Sequence, residues 1–265
     1  MEIWAVANQK GGVGKTTTAV SLAGLLAGAG RRTLLVDLDP HGSLTAYFGH
    51  DPDTLEPTVY ALFHAEPVTA ADVEPLIRPT STGGLDLLPA STALATLDRQ
   101  LGAREGKGLV VRQALAAVAE RYDHAIIDCP PLLGILLVNA LAACRRLLIP
   151  VQTEHLALKG LERMTRTLDM ILRARAEPLD HLIVPTLFDR RTRAAIEALR
   201  ALRSEYGGRL WDAVIPVDTR FREASRRGVP LTLWQPASRG ARAYAALLNH
   251  LLGGAAAVPA AADGP

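Results

Sequence analysis

The most constraining feature of this chain is at its start. A short apolar run, Ile3–Ala7, leads into Asn8-Gln9-Lys10-Gly11-Gly12-Val13-Gly14-Lys15-Thr16-Thr17, and a stretch rich in alanine and leucine follows from Thr16 to Ala29. Apolar run, glycine loop and helix in that order form a phosphate-binding context. Gly11, Gly12 and Gly14 let the backbone curl so that successive N–H groups point at one spot. The helix that opens next adds its partial positive charge there. Lys15 is placed to reach β- and γ-phosphates, Thr16 to put its hydroxyl on Mg²⁺, and Thr17 to bond an α-phosphate. The nucleotide-binding set is then Gly11, Gly12, Val13, Gly14, Lys15, Thr16 and Thr17, with a phosphate chain and Mg²⁺ as the implied ligands.

The rest of the chain repeats the alternation. Thr33–Asp37, Leu85–Leu88, Ala125–Asp128, Leu147–Val151, Leu182–Thr186 and Ala213–Pro216 read as further buried strands. Gly108–Glu120, Gly160–Ala176, Arg193–Tyr206 and Arg239–Leu252 read as helices. Continuous apolar strands separated by helices predict an α/β fold with a mostly parallel sheet and helices on both faces; joined to the glycine loop, this is the P-loop nucleotide-hydrolase architecture. Phe48–Gly84, which holds five prolines, is expected to form short helices and loops. One domain over residues 1–252 is expected, with a disordered low-complexity tail over 253–265. No apolar run reaches the ~18 residues of a membrane helix. Two cysteines, Cys129 and Cys144, cannot make a disulfide framework. A cytoplasmic protein is expected.

Three carboxylates fall where open α/β sheets keep their chemistry, at the carboxyl ends of strands. Asp37 and Asp39 stand in Asp37-Leu38-Asp39-Pro40-His41-Gly42, and Asp128 closes Ala125-Ile126-Ile127-Asp128. The first group also has the makings of a plain Asx-Pro turn. Asp128 is placed to hold a Mg²⁺-bound water.

The glycine loop departs from the standard form, which wants a glycine where Gln9 stands, and it carries Lys10 ahead of the glycine pair. In this it resembles the deviant P-loop of the ParA/MinD family of dimeric ATPases, and the Asp37–Gly42 and Ala125–Pro131 segments resemble that family's companion motifs. The resemblance runs from Ile3 to about Leu252 and matches the short, Soj-like ParA type. It implies ATP hydrolysis, slow until a partner stimulates it, in an ATP-dependent homodimer. Lys10 would reach the partner's phosphates in trans, Asp39 would orient the attacking water, Asp37 would support the metal with Thr16 and Asp128, and the loop at Pro216 would face the adenine.

Composition enters where partners are concerned. The chain has 25 arginines and four lysines, and two of those lysines are Lys10 and Lys15. Twelve arginines against five acids fall between Arg190 and Arg242, although the whole chain carries only +2. That excess reads either as a solvated arginine surface or as the footprint of an anionic partner. The family resemblance implies non-specific DNA binding by the ATP dimer, through Arg191, Arg220 and Arg222. The final helix and tail lack the basic amphipathic pattern of the membrane-binding members, so no membrane partner is expected. The strings His41–Asp53, Gly160–Ile171, Pro185–Ala194 and Arg209–Ser225 look most like ParA-like ATPases that position polar chemotaxis arrays through an adaptor. The other readings are chromosome or plasmid partition with a ParB-like partner, a membrane-bound regulator of flagellar number, and an ATP-dependent amidating synthetase. Within the cytoplasm, polar or nucleoid association is the corresponding expectation.

Overall fold

The computed structural model describes residues 1–97, 100, 107–173 and 178–253. Seven strands, β1 (Glu2–Val6), β2 (Thr33–Asp37), β3 (Arg78–Pro79), β4 (Leu85–Leu88), β5 (His124–Asp128), β6 (Arg146–Gln152) and β7 (Asp180–Thr186), form one sheet in the order β3-β4-β2-β5-β1-β6-β7. All neighbours run parallel except the two-residue β3, which pairs antiparallel with β4. The central strands are apolar at nearly every position because both faces are covered. β2 is buried at all five residues.

Alternate side chains feed two cores. Ala5, Leu34, Val36, Ile127 and Ile149 face one side, where α4 (Val110–Ala117), α5 (Ile135–Ala143) and α6 (His155–Arg173) pack. Trp4, Val6, Leu35, Ile126 and Leu148 face the other, against α1 (Lys15–Gly28) and α10 (Arg239–Leu251). The expected helices on both faces are therefore present. α1 carries mostly alanine, leucine and hydroxyl residues because nearly all of it is buried. Between β2 and β4 lie α2 (Ser43–Tyr47), α3 (Ala70–Val73) and two 3₁₀ turns, the short elements expected from the proline content. Among the described residues the further α-helices are α7 (Arg193–Tyr206), α8 (Arg220–Arg227) and α9 (Leu231–Trp234).

One expected strand is corrected. Ala213–Pro216 does not join the sheet. It runs past the end of β7 on isolated contacts, with Ile215 N–H donating to the Pro185 carbonyl (2.8 Å) and Pro216 bridged singly to Phe188. Ala213 is exposed, and Pro216 has no N–H to extend a ladder. α6 begins at His155, five residues before the expected start at Gly160. Residues 254–265 of the tail expected to be disordered lie outside the described residues.

Candidate nucleotide site

The loop after β1 turns into α1 through Gly14, whose φ of 90° lies in the left-handed region that residues with a Cβ avoid. Its carbonyl accepts both the N–H (2.9 Å) and the Oγ1 hydroxyl (2.7 Å) of Thr18, which closes the first turn. No acidic residue lies within that turn itself; the carboxylate that reaches it is Asp128 of β5, through Thr16. Lys15 is only 8% exposed. Val13 is fully buried, and its carbonyl accepts from Thr186 Oγ1 (2.7 Å), which ties the loop to the end of β7. Asn8 ties it to β6: Nδ2 donates to the Pro150 carbonyl (2.7 Å), while Oδ1 accepts the Lys10 N–H (3.0 Å). The Lys10 ammonium is paired with Glu154, just past β6. In a single chain, therefore, Lys10 is held by a carboxylate and must exchange it to serve a phosphate.

Strand register brings the carboxylates together. Asp37 and Asp128 are direct neighbours across the β2–β5 ladder. Asp37 is fully buried, with three donors: Asp39 N–H on Oδ1 (3.1 Å), and the N–H (2.8 Å) and hydroxyl (2.7 Å) of Thr45 on Oδ2. Burial still raises its pKa above the ordinary carboxylate range. Asp37 thus braces the loop from behind. Asp128 differs. Its Oδ2 accepts the Thr16 hydroxyl (2.6 Å), while its buried Oδ1 has no hydrogen-bond partner among the described residues. Burial, and then the charge of Asp37, raise the Asp128 pKa. A buried carboxylate oxygen without a donor is costly. A metal-bound water would relieve it, so Thr16 and Asp128 fit Mg²⁺. Among the described residues no cluster of three metal-ligating side chains exists. The fit is therefore to an ion held jointly by the protein and phosphate oxygens, the usual arrangement for Mg²⁺ at nucleotides.

Asp39 is 8% exposed, on the loop between β2 and α2. Its Oδ1 accepts the His41 N–H (3.0 Å) and lies 2.8 Å from His41 Nδ1. The loop closes through Gly42, whose N–H donates to the Asp39 carbonyl (2.8 Å). Gly42 has a φ of 59°, and a Cβ there would come within 2.3 Å of Pro52. A cavity of about 440 Å³ opens beside this loop, lined by Asp39, His41, Pro52, Pro130, Pro131 and Leu132 among others. Leu132 and Leu133, in the segment after β5, are exposed.

The other predicted residues fall into two places. Thr16 and Thr17 line a smaller cavity of about 230 Å³ with Tyr47, Phe221 and Arg222. Arg222, read as a DNA contact, thus also borders the phosphate end. Pro216 is half-buried beside the end of β7, and Val217 after it is exposed. Arg191 and Arg220 are at the surface. Arg191 makes a two-pronged pair with Asp189 (2.9 and 2.7 Å), which holds the Asp189 carboxyl down to about 2. Arg220 lies 4.0 Å from Asp218. Sequence reading assigned no role to Asn8, Thr45, His41 or Glu154. The contacts of Asn8 and Glu154 span 142 and 144 residues, so no local spacing announces them.

A glycine loop on a buried helix, Thr16 on Asp128 and a lysine ahead of the glycines together define a P-loop ATPase of the deviant-lysine class. The family described as "AAA domain" matches residues 1–180. The Soj sporulation initiation inhibitor of Bacillus subtilis is 38% identical, over 94% of this chain and 98% of its own length. The chromosome partitioning protein ParA of Myxococcus xanthus is also 38% identical, over 93% and 86%. A cobyrinic acid a,c-diamide synthase from Mycobacterium smegmatis, solved with an ATP analogue and magnesium, matches with a TM-score of 0.81 and 36% identity. That match covers 96% of this chain and 97% of the other. The chain belongs to the ParA/MinD family of ATPases and is an ATP hydrolase that uses Mg²⁺.

Proposed function

We propose that this ATPase is a dimerising switch that positions intracellular cargo, with polar chemotaxis arrays as the cargo and non-specific DNA as the track. The observation that carries the switch is the pairing of Lys10 with Glu154 beside an otherwise assembled phosphate site. The site has its own buried cation in Lys15, so Lys10 is left to serve a second copy's phosphates. ATP would draw two copies together, Lys10 would trade Glu154 for the partner's nucleotide, and the closed pair would hold DNA through Arg191, Arg220 and Arg222. Hydrolysis would remove the γ-phosphate contacts and loosen the segments after Asp39 and Asp128. Asp39 orients the attacking water in this reading, and Asp37 and Thr45 keep the loop in register. When bound, Mg²⁺ neutralises charge on the phosphates. A stimulating adaptor would set the rate.

The array assignment rests on string similarity in four segments, one of them inside α6. It is tested by imaging the tagged protein against the arrays and by following array inheritance in a deletion strain. Normal inheritance would remove the arrays as cargo and leave chromosome partitioning, the activity named for the Myxococcus relative, with a ParB-like protein as the proposed partner. A second reading follows from the 36% match to the diamide synthase: ATP consumed in amide formation on a small molecule. The twelve arginines of the C-terminal third favour the switch over that enzyme. ATP consumption that requires a carboxylate substrate and an ammonia donor would reverse the preference. No described helix is long and apolar enough to cross a membrane. Peripheral binding is tested by liposome sedimentation with ATP.

A further inference from the structure

We infer that His41 is a positioning residue for hydrolysis: its N–H and its ring both hold Asp39 Oδ1 and thereby present Oδ2 to the attacking water. The inference deepens the reading of Asp39 as the water-orienting carboxylate and rests on it.

The backbone of Asp39 is fixed from both sides. Its N–H donates to Asp37 Oδ1 (3.1 Å), and its carbonyl accepts the Gly42 N–H (2.8 Å). Those bonds set the path of the chain but leave two side-chain torsions free to turn the carboxylate. His41 removes that freedom. Its N–H (3.0 Å) and Nδ1 (2.8 Å) converge on one and the same oxygen, Oδ1. A carboxylate only accepts, so this contact requires the ring proton on Nδ1. Among the described residues no donor is seen on Oδ2. One oxygen is therefore pinned and its twin is left to accept a proton or orient a water. Asp39 also borders the 440 Å³ cavity, along with His41 and the Pro130-Pro131 segment.

The His41 side chain is 75% exposed. Water competes for its bond to Asp39, so the ring refines an orientation that the backbone N–H already begins. The expected effect is correspondingly modest.

The test uses the full chain with Mg-ATP and compares His41→Ala, His41→Asn and Asp39→Ala in steady-state hydrolysis, alongside ATP binding. Asparagine carries an N–H donor close to the position of the ring Nδ1 and does not titrate. The expected result is a fall in kcat of about 3- to 10-fold for His41→Ala, the span one partly exposed hydrogen bond supports. KM for ATP should not change, and His41→Asn should recover most of the loss. Unchanged kcat in His41→Ala beside an inactive Asp39→Ala would overturn the role of His41 alone. So would a His41→Asn variant as slow as His41→Ala, or a KM that rises in step with the fall in kcat. Normal hydrolysis by Asp39→Ala would overturn the reading beneath it.

Discussion

The phosphate loop and the C-terminal arginine surface both offer cations to an anion, but they are held in different ways. Lys15 is 8% exposed, at the head of a buried helix, and the loop around it is tied to β6 and β7 through Asn8 and Thr186. The Arg191 side chain is 82% exposed, and its carboxylate partner is two residues away. The first site is preorganised by the whole sheet, and its interactions act with little water to screen them. The second is a set of solvated charges, among which Arg191 and Arg220 each have a nearby carboxylate to leave before binding anything. A buried constellation selects one ligand by geometry, whereas an exposed one binds many by charge and is tuned by salt.

Substitutions that break the contrast should scale with it. Lys15→Ala removes the buried cation at the head of α1 and should weaken ATP binding by at least about 100-fold, read by calorimetry. Near-normal binding would mean that the loop amides alone hold the nucleotide. Asp128→Asn keeps the shape but removes the charge beside Thr16. The Mg²⁺ dependence of ATP binding should shift by about 10- to 100-fold, as loss of a carboxylate that holds a metal-bound water does. On the arginine side, Arg191→Glu or Arg220→Glu should abolish duplex binding by the ATP-bound protein while hydrolysis stays intact. Binding by the unaltered protein should weaken steeply with salt in a gel-shift titration. Loss of hydrolysis together with DNA binding would show that the two regions are not separate. Thr45→Val removes a donor to Asp37 and an acceptor for Ala90 N–H, both buried, and should cost about 1–3 kcal/mol in urea unfolding. Asp189→Asn should have the smallest effect. It releases Arg191 from its local pair and should raise DNA affinity by about 2- to 5-fold at low salt, in keeping with the small worth of exposed pairs. A fall in affinity would make Asp189 part of the binding geometry.

The same contrast governs what could be read from sequence. The glycine loop, the Asp37–Gly42 turn and the strand end at Asp128 are each set by about ten neighbouring residues or fewer, so their places in the fold are legible in the sequence. The parallel sheet and its two helical layers were legible from buried strands such as Thr33–Asp37. What depends on strand order was not. The Asn8–Pro150 and Lys10–Glu154 contacts exist only because β1 lies beside β6. The Asp37–Asp128 pairing follows from β2 lying beside β5. Ala213–Pro216 looked like a strand because its apolar run is genuine, yet an exposed alanine and a proline leave it outside the ladder. The role of His41 was hidden because a histidine two residues after an aspartate is ordinary until both of its donors are seen on one oxygen.

The central claim is that ATP makes two copies close on each other. The most direct measurement is the solution mass of Asp39→Ala by light scattering with Mg-ATP and with Mg-ADP. A dimer is expected with ATP and a single subunit with ADP, with the dimer lost when Lys10→Ala is added. A single subunit in both nucleotides would contradict the claim.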